Sequence, residues 1–145
     1  AVLLLNNQQL FSRVVESEHI KDIVESMQVT AGPYWKDHFR FDTPSPAREK
    51  KVGNALVNNV LVNAVVPMLF AYGTSRQEQR HTQKALRWLE ELPPEQNTVV
   101  SAFSALSLTA GNAFDSQALL ELKTNYCDHK ECLRCALGYE ILRNG

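Results

Sequence analysis

What this sequence lacks narrows the reading first. It has no excess of either charge, since 15 Lys and Arg stand against 16 Asp and Glu, scattered along 145 residues. No electrostatic footprint for nucleic acid or an anionic membrane is therefore visible. Cysteine is missing everywhere except between Cys127 and Cys135, where all three lie. That argues against a secreted disulfide framework and predicts a reducing, cytoplasmic setting. There is no Gly-rich phosphate loop, nucleophile elbow or His-Glu zinc signature, so no motif names a reaction. Internal repeats, low-complexity tracts and convincing strand patterns are absent too. The chain reads as one domain, 1–145, long enough to bury roughly two thirds of its unfolded surface.

What is present is organised around one uncharged, mostly apolar stretch, Val52 to Gly73. Aliphatic residues occur all round a helix drawn through Ala55 to Val66, and such a helix is normally buried among other helices or in lipid. The run is long enough for a bilayer, but Asn54, Asn58, Asn59 and Asn63 would each need partners there, and Pro67 interrupts it. The flanking segments have the one-sided amphipathicity of helices that pack in water, so the stretch is read as a core helix. Pro67 lacks a backbone donor and its ring meets the Asn63 carbonyl, which predicts a kink or break near Ala64 to Val66 and a short second helix, Met68 to Tyr72, ending at Gly73. Asn59, Asn63 and Pro67 share one stripe. The two amides are either the lining of a polar cleft or a buried pair that caps neighbouring helix ends, with the second reading preferred.

Around that stretch the pattern gives about seven or eight helices, an all-α bundle with a buried central helix. Leu3, Leu10, Phe11, Val14 and Val15 mark a first helical region with a weak spot at Asn6 to Gln9. Ser17 is the expected cap of the next, which carries Ile20, Ile23, Val24 and Met27 and ends near Gln28. Ala31-Gly-Pro33 and Asp42 to Pro46 bracket an irregular aromatic segment, and Ser45-Pro46 reads as the start of the helix leading into the core stretch. Ser75 to Glu78 has the spacing of a capping box. The helix after it shows Ala85, Leu86, Trp88, Leu89 and Leu92 on its apolar face, with Arg76, Arg80, Lys84 and Arg87 on a solvated one. Val99, Val100, Phe103 and Leu106 mark another helix, and Asp115 or Ser116 is the expected cap for one carrying Leu119, Leu122 and Tyr126. The last should run from about Glu131 to Arg143.

Two places carry candidate chemistry. Cys132 and Cys135 lie one helical turn apart, with Cys127 and His129 in the preceding turn, and C-x4-C-x2-C matches the first three ligands of plant-type iron–sulfur loops. Zinc or an iron–sulfur cluster would need a fourth ligand from His129, His38 or elsewhere, because only ten residues follow Cys135 and none is a cysteine. The alternatives are thiol redox chemistry and plain packing, and the expectation is an unfilled, structural turn that fastens the last helix to the one before it. His38, beside Asp37, has the form of a base oriented by a carboxylate, against the simpler reading of a structural histidine among aromatics. His38, Asn59 and Asn63 together would make a polar cleft.

Several motifs together carry a resemblance: Tyr34-Trp35-x-x-His38-Phe39-x-Phe41, Asn63-x-x-x-Pro67-x-Leu69-Phe70-x-Tyr72-Gly73, Leu92-Pro93-x-Glu95-x-Asn97, Asp115 to Leu119, and the cysteine turn. The chain resembles the C-terminal part of the bacterial family catalogued as domain of unknown function 2851. The resemblance implies a longer polypeptide with an additional N-terminal region, and it raises the weight of a metal or cluster at Cys127, Cys132 and Cys135. It carries over no catalytic residue. The start, Ala1-Val-Leu-Leu-Leu5, has no basic region and too short an apolar run for a signal peptide, and reads as the inside of a helix in a C-terminal piece. The expectation is therefore a non-enzymatic helical module packing against or regulating the missing N-terminal region, or pairing as a homodimer through the same face. The alternatives are a metal-binding domain or a ligand-binding one with a polar cleft. No cofactor is expected in the piece itself.

Overall fold

A 23-residue helix, Asn54–Arg76, supplies the largest share of the apolar interior. In the computed structural model, which describes residues 9–144, the chain divides into two compact units, Ala1–Trp88 and Leu89–Gly145. The first holds α1 (Leu10–Glu16), α2 (Ile20–Met27), a 3-10 turn (Pro33–Lys36), the strands β1 (His38–Arg40) and β2 (Thr43–Pro44), α3 (Asn54–Arg76) and most of α4 (Gln79–Glu91). The second holds α5 (Thr98–Ala105), α6 (Ala113–Leu122) with a π turn at Lys123–Cys127, and α7 (Ala136–Asn144). The all-α class and the helix count agree with the sequence. Leu3 and Asn6 to Gln8 lie outside the described residues.

In the first unit, α2 buries Ile20, Ile23 and Met27 at the expected helical spacing. Ser17 does not cap it. The residue ends α1, and its hydroxyl donates to the Asp22 carboxylate and the His19 carbonyl. The predicted break at Ala64 to Val66 is also absent, because Leu61–Val65 widens into a π turn in which the Val66 N–H donates to the Leu61 carbonyl. Inserting one residue into the turn relieves the clash between Pro67 and the preceding carbonyls, so the helix continues without a break. It also passes Gly73, where a Cβ would stand 2.8 Å from the Thr82 backbone nitrogen; that glycine permits a close helix approach rather than ending the helix. The chain turns instead at Gln77, which is left-handed with φ 57°.

No capping box forms at Ser75. Its hydroxyl donates to the Tyr72 carbonyl inside α3, and the Glu78 N–H closes onto the Gly73 carbonyl. The interior of the unit is made by Val14 and the α2 residues, by Val57, Leu61, Val62, Val65, Val66 and Leu69 of α3, and by Ala85 and Trp88 of α4. The opposite side of α3 is open: Leu56 is 56 % exposed and Phe70 43 %.

Ser45-Pro46 does not begin a helix, and the segment it opens is extended. The Ser45 N–H donates to the Asp37 carbonyl, Arg48 to Lys36, Val52 to Val29, while Ala31 donates to Lys50. These pairings hold 45–52 against 29–37 and delay the helix to Asn54. The short antiparallel pair β1–β2 is a second departure from the sequence reading, closed by Asp42 at φ 56°. Its pattern is too short and too irregular to show as alternation.

The second unit relies on caps. Asn97 accepts from the Val100 N–H, and Asn112 from the Asp115 N–H, while the Asp115 carboxylate accepts from Gly111. Asn112, not Asp115 or Ser116, is therefore the cap of α6. Ser116 is buried, donating to the Ala113 carbonyl and accepting from the Glu95 N–H. Leu119, Leu122 and Tyr126 are half-buried, and Leu106 is exposed rather than inward. Helix α7 starts at Ala136, later than expected, because Glu131 to Cys135 stays in turns.

Candidate functional site

The aromatic hairpin gathers the most chemistry. His38 Nδ1 lies 2.8 Å from Asp37 Oδ1 and 3.0 Å from the Tyr34 carbonyl. Both partners are acceptors, so the proton sits on Nδ1 and the ring is fixed. The ring also stacks on Tyr34 with centroids 4.3 Å apart. The hydrogen bond from His38 is the main reason that the Asp37 carboxyl is held below the usual carboxylate range; desolvation opposes it, and the charges of His38 and Lys50 add smaller contributions in the lowering direction. This has the form of an oriented base. No hydroxyl or thiol hydrogen-bonds to the ring among the described residues, so the pair immobilises the histidine without aiming it at a nucleophile.

The hairpin around it is tied together by side-chain contacts. Lys50 Nζ donates to the Trp35 and His38 carbonyls at 2.6 and 2.8 Å and lies 3.9 Å from the centre of the Phe39 ring. The Tyr34 hydroxyl accepts from the Asp42 N–H. Phe41 meets Trp35 edge-on at 5.0 Å yet stays 75 % exposed. Beside the hairpin, Thr30, Ala31, Pro33, Lys36, Glu49 and Lys50 line a groove of about 350 Å³.

Asn59 and Asn63 are not placed in that groove. Both are exposed on the open side of α3, and the Asn63 amide donates to the Asn59 carbonyl within the same helix. They form neither the cleft with His38 nor the buried capping pair that the stripe suggested. The physical reason is that both amides are exposed to solvent, which satisfies them without a buried capping partner.

The cysteine turn is tightly folded. Cys127, Cys132 and His129 are exposed and Cys135 is buried. The Cys135 sulfur accepts from the Gly138 N–H at 3.4 Å, and the Cys135 carbonyl takes the Tyr139 N–H, so this residue begins α7. A Cβ on Gly138 would lie 2.6 Å from the Cys132 carbonyl oxygen, which ties the turn to the helix. Lys123 pairs with Asp128 across it. Among the described residues, no three His, Cys, Asp or Glu side chains gather as a metal would need.

One polar group escaped the sequence reading. Lys84, assigned to a solvated face, is 4 % exposed, and its ammonium donates to the carbonyls of Val14, Val15 and Ser17 at 2.8–3.0 Å. Burial is the chief cause that lowers its pKa, aided by Arg80 and Arg87 and opposed by Glu18. The lysine closes the C-terminus of α1, whose last carbonyls have no helical partner. Next to it, His81 is buried against Tyr72 with Nε2 3.2 Å from Glu78 Oε2 but out of line for a hydrogen bond. Trp88 donates to the Glu18 carbonyl and Arg87 to its carboxylate. The spacing 81, 84, 85, 88 is itself helical, and it would have put both polar residues on the inner face had polarity not been used to sort them.

The sequence model of the family described as "Protein of unknown function (DUF2851)" matches residues 1–98, which include the hairpin, α3 and α4. No curated protein and no solved structure matches the chain.

Proposed function

This chain belongs to the DUF2851 family of proteins of unknown function, and we propose that it works as a non-enzymatic helical module, docked through the open side of α3 onto another region of the same polypeptide. The observation that carries the reading is the division of α3 into two faces. One is core. The other presents Leu56, Met68 and Phe70, all at least 36 % exposed, from a helix of 23 residues with only a third of its apolar window buried. Large apolar side chains left exposed together on one helix often mark an interaction surface.

By length and composition, α3 is also apolar enough to cross a membrane. Its open face carries Asn59 and Asn63, however, and a protein surface satisfies amides that hydrocarbon does not. Cover from the same polypeptide also acts at high effective concentration, which keeps the face from associating at random. The cysteine turn fits the module as a fastener of α7, with Cys135 at the start of the helix.

The reading is tested with Met68→Glu and Phe70→Glu, made in the isolated chain and in the longest natural polypeptide that contains it. Both variants should leave urea unfolding of the isolated chain nearly unchanged and make the longer protein measurably more protease-sensitive at α3. Equal tolerance in both settings contradicts the docking. A shift of the isolated chain from dimer to monomer in light scattering would reassign the face to a second copy.

A further inference from the structure

The chain is balanced in charge overall, but residues 34–51 hold five Lys and Arg against three Asp and Glu, together with Tyr34, Trp35, Phe39 and Phe41. The fold draws these together. Two steps along β1, His38 to Arg40, answer one step along β2, Pro44 to Thr43, so a bulge sits at Phe39. Bulges re-aim side chains. Phe39 is 59 % exposed, with Lys50 Nζ 3.9 Å and Arg48 Cζ 5.2 Å from its ring centre. Phe41 is more exposed still, and its contacts with Trp35 and Tyr34 fix it in place. Arg40 and Arg48 form no ion pair among the described residues, whereas Lys51 pairs with Glu49 and Asp37 with His38. The result is a pair of outward aromatic rings, Phe39 carrying the cations of Lys50 and Arg48 over it and Phe41 held against Trp35 and Tyr34, with Arg40 next to them in sequence and outside any ion pair among the described residues.

Rings that accept a stacked base, flanked by cations that accept a phosphate, make up the recognition chemistry of single-stranded nucleic acid. A duplex offers its phosphates but not its base faces, so the rings would be idle against it. An anionic bilayer also attracts aromatic and basic groups. Here the cations lie over the ring of Phe39 instead of behind an apolar tip, and Asp42 stands at the turn where insertion would begin. From this arrangement we infer that the hairpin binds single-stranded nucleic acid, with a base stacked on Phe41 and backbone phosphates on Arg40 and on the Arg48 guanidinium beside Phe39. The inference is independent of the docking face on α3.

Fluorescence anisotropy with a labelled homopyrimidine single strand tests it on the whole chain. Saturable binding should weaken between about 50 and 200 mM salt. Phe41→Ala should weaken it roughly five-fold or more, as expected for loss of one stacked base. Phe41→Leu keeps an apolar side chain without an aromatic face and should weaken it similarly, while Arg40→Gln and Arg48→Gln should each reduce the salt slope by about 0.7. The same strand annealed to its complement should bind more weakly. No saturable binding, equal affinity for the duplex, or affinity unchanged in Phe41→Ala would overturn the inference. So would capture of the chain by phosphatidylserine vesicles that Phe41→Leu retains and Phe41→Ala loses, which would assign the hairpin to a membrane surface.

Discussion

Helices α3 and α4 cross at Gly73 and reverse each other's expected roles. The first is uncharged over most of its length, yet it buries one side and leaves Leu56, Met68 and Phe70 in the open. The second is rich in charge, yet it takes Lys84 and His81 inside along with Ala85 and Trp88. Composition sets how much of a helix could be buried; its neighbours decide how much is. A buried lysine is tolerable because three carbonyls at the end of α1 meet its ammonium, whereas Leu56, Met68 and Phe70 on the other helix stay exposed.

The comparison breaks most visibly with Val65→Asp against Met68→Asp. Val65 is inside, so an unpaired carboxylate there should cost several kcal/mol or unfold the chain, while the same change at Met68 should cost within about 1 kcal/mol. Urea titrations giving equal losses would mean that α3 has no distinct faces. Next in size is Lys84→Met, which keeps the stem but strands the carbonyls of Val14, Val15 and Ser17. A loss of about 1–3 kcal/mol is expected, against none measurable for Arg76→Met at the exposed end of α3. If the two behave alike, the clasp at the end of α1 is not a stabilising one. Asn112→Ala should lower stability by about 1 kcal/mol through loss of the α6 cap, read as a fall in melting temperature, and Asn112→Ser should restore most of it.

The smallest effect is in pH. Burial lowers the Lys84 pKa in the folded protein below 10.5, so between its folded and unfolded values the unfolded chain binds more protons and stability from this site rises with pH. The difference in unfolding free energy between wild type and Lys84→Met should therefore grow in favour of wild type through that alkaline window. A difference independent of pH would show that burial does not perturb the ammonium.

Legibility in the sequence followed local physics. The helices with one-sided spacing, such as Ile20, Ile23 and Met27, could be placed, and so could the all-α class. Features set by distant segments could not. The π turn at Leu61–Val65 absorbs Pro67 where a local rule predicts a break. Ser45 and Ser75 have the residue types of caps, but backbone pairing and a continuing helix occupy them first. Gly73 looks like a stop and is a close approach. Of the candidate site residues, His38 was legible from Asp37 beside it, whereas Asn59 and Asn63 shared a stripe that faces away from the groove. Cys127, Cys132 and Cys135 were legible as a turn, though their spacing did not reveal that the Cys135 sulfur caps α7. Lys84 carries a charge that suggests solvent, yet the carbonyls that make its burial possible come from a segment about 70 residues earlier, beyond the reach of local spacing.

The most direct test of the docked face of α3 is hydroxyl-radical footprinting of Met68 and Phe70, with Phe41 on the hairpin and Leu133 in the cysteine turn as exposed references. Compared with the isolated chain, the longest natural polypeptide should show several-fold less oxidation at Met68 and Phe70 and unchanged oxidation at Leu133. Oxidation of Met68 and Phe70 that is equal in the two settings would contradict the account.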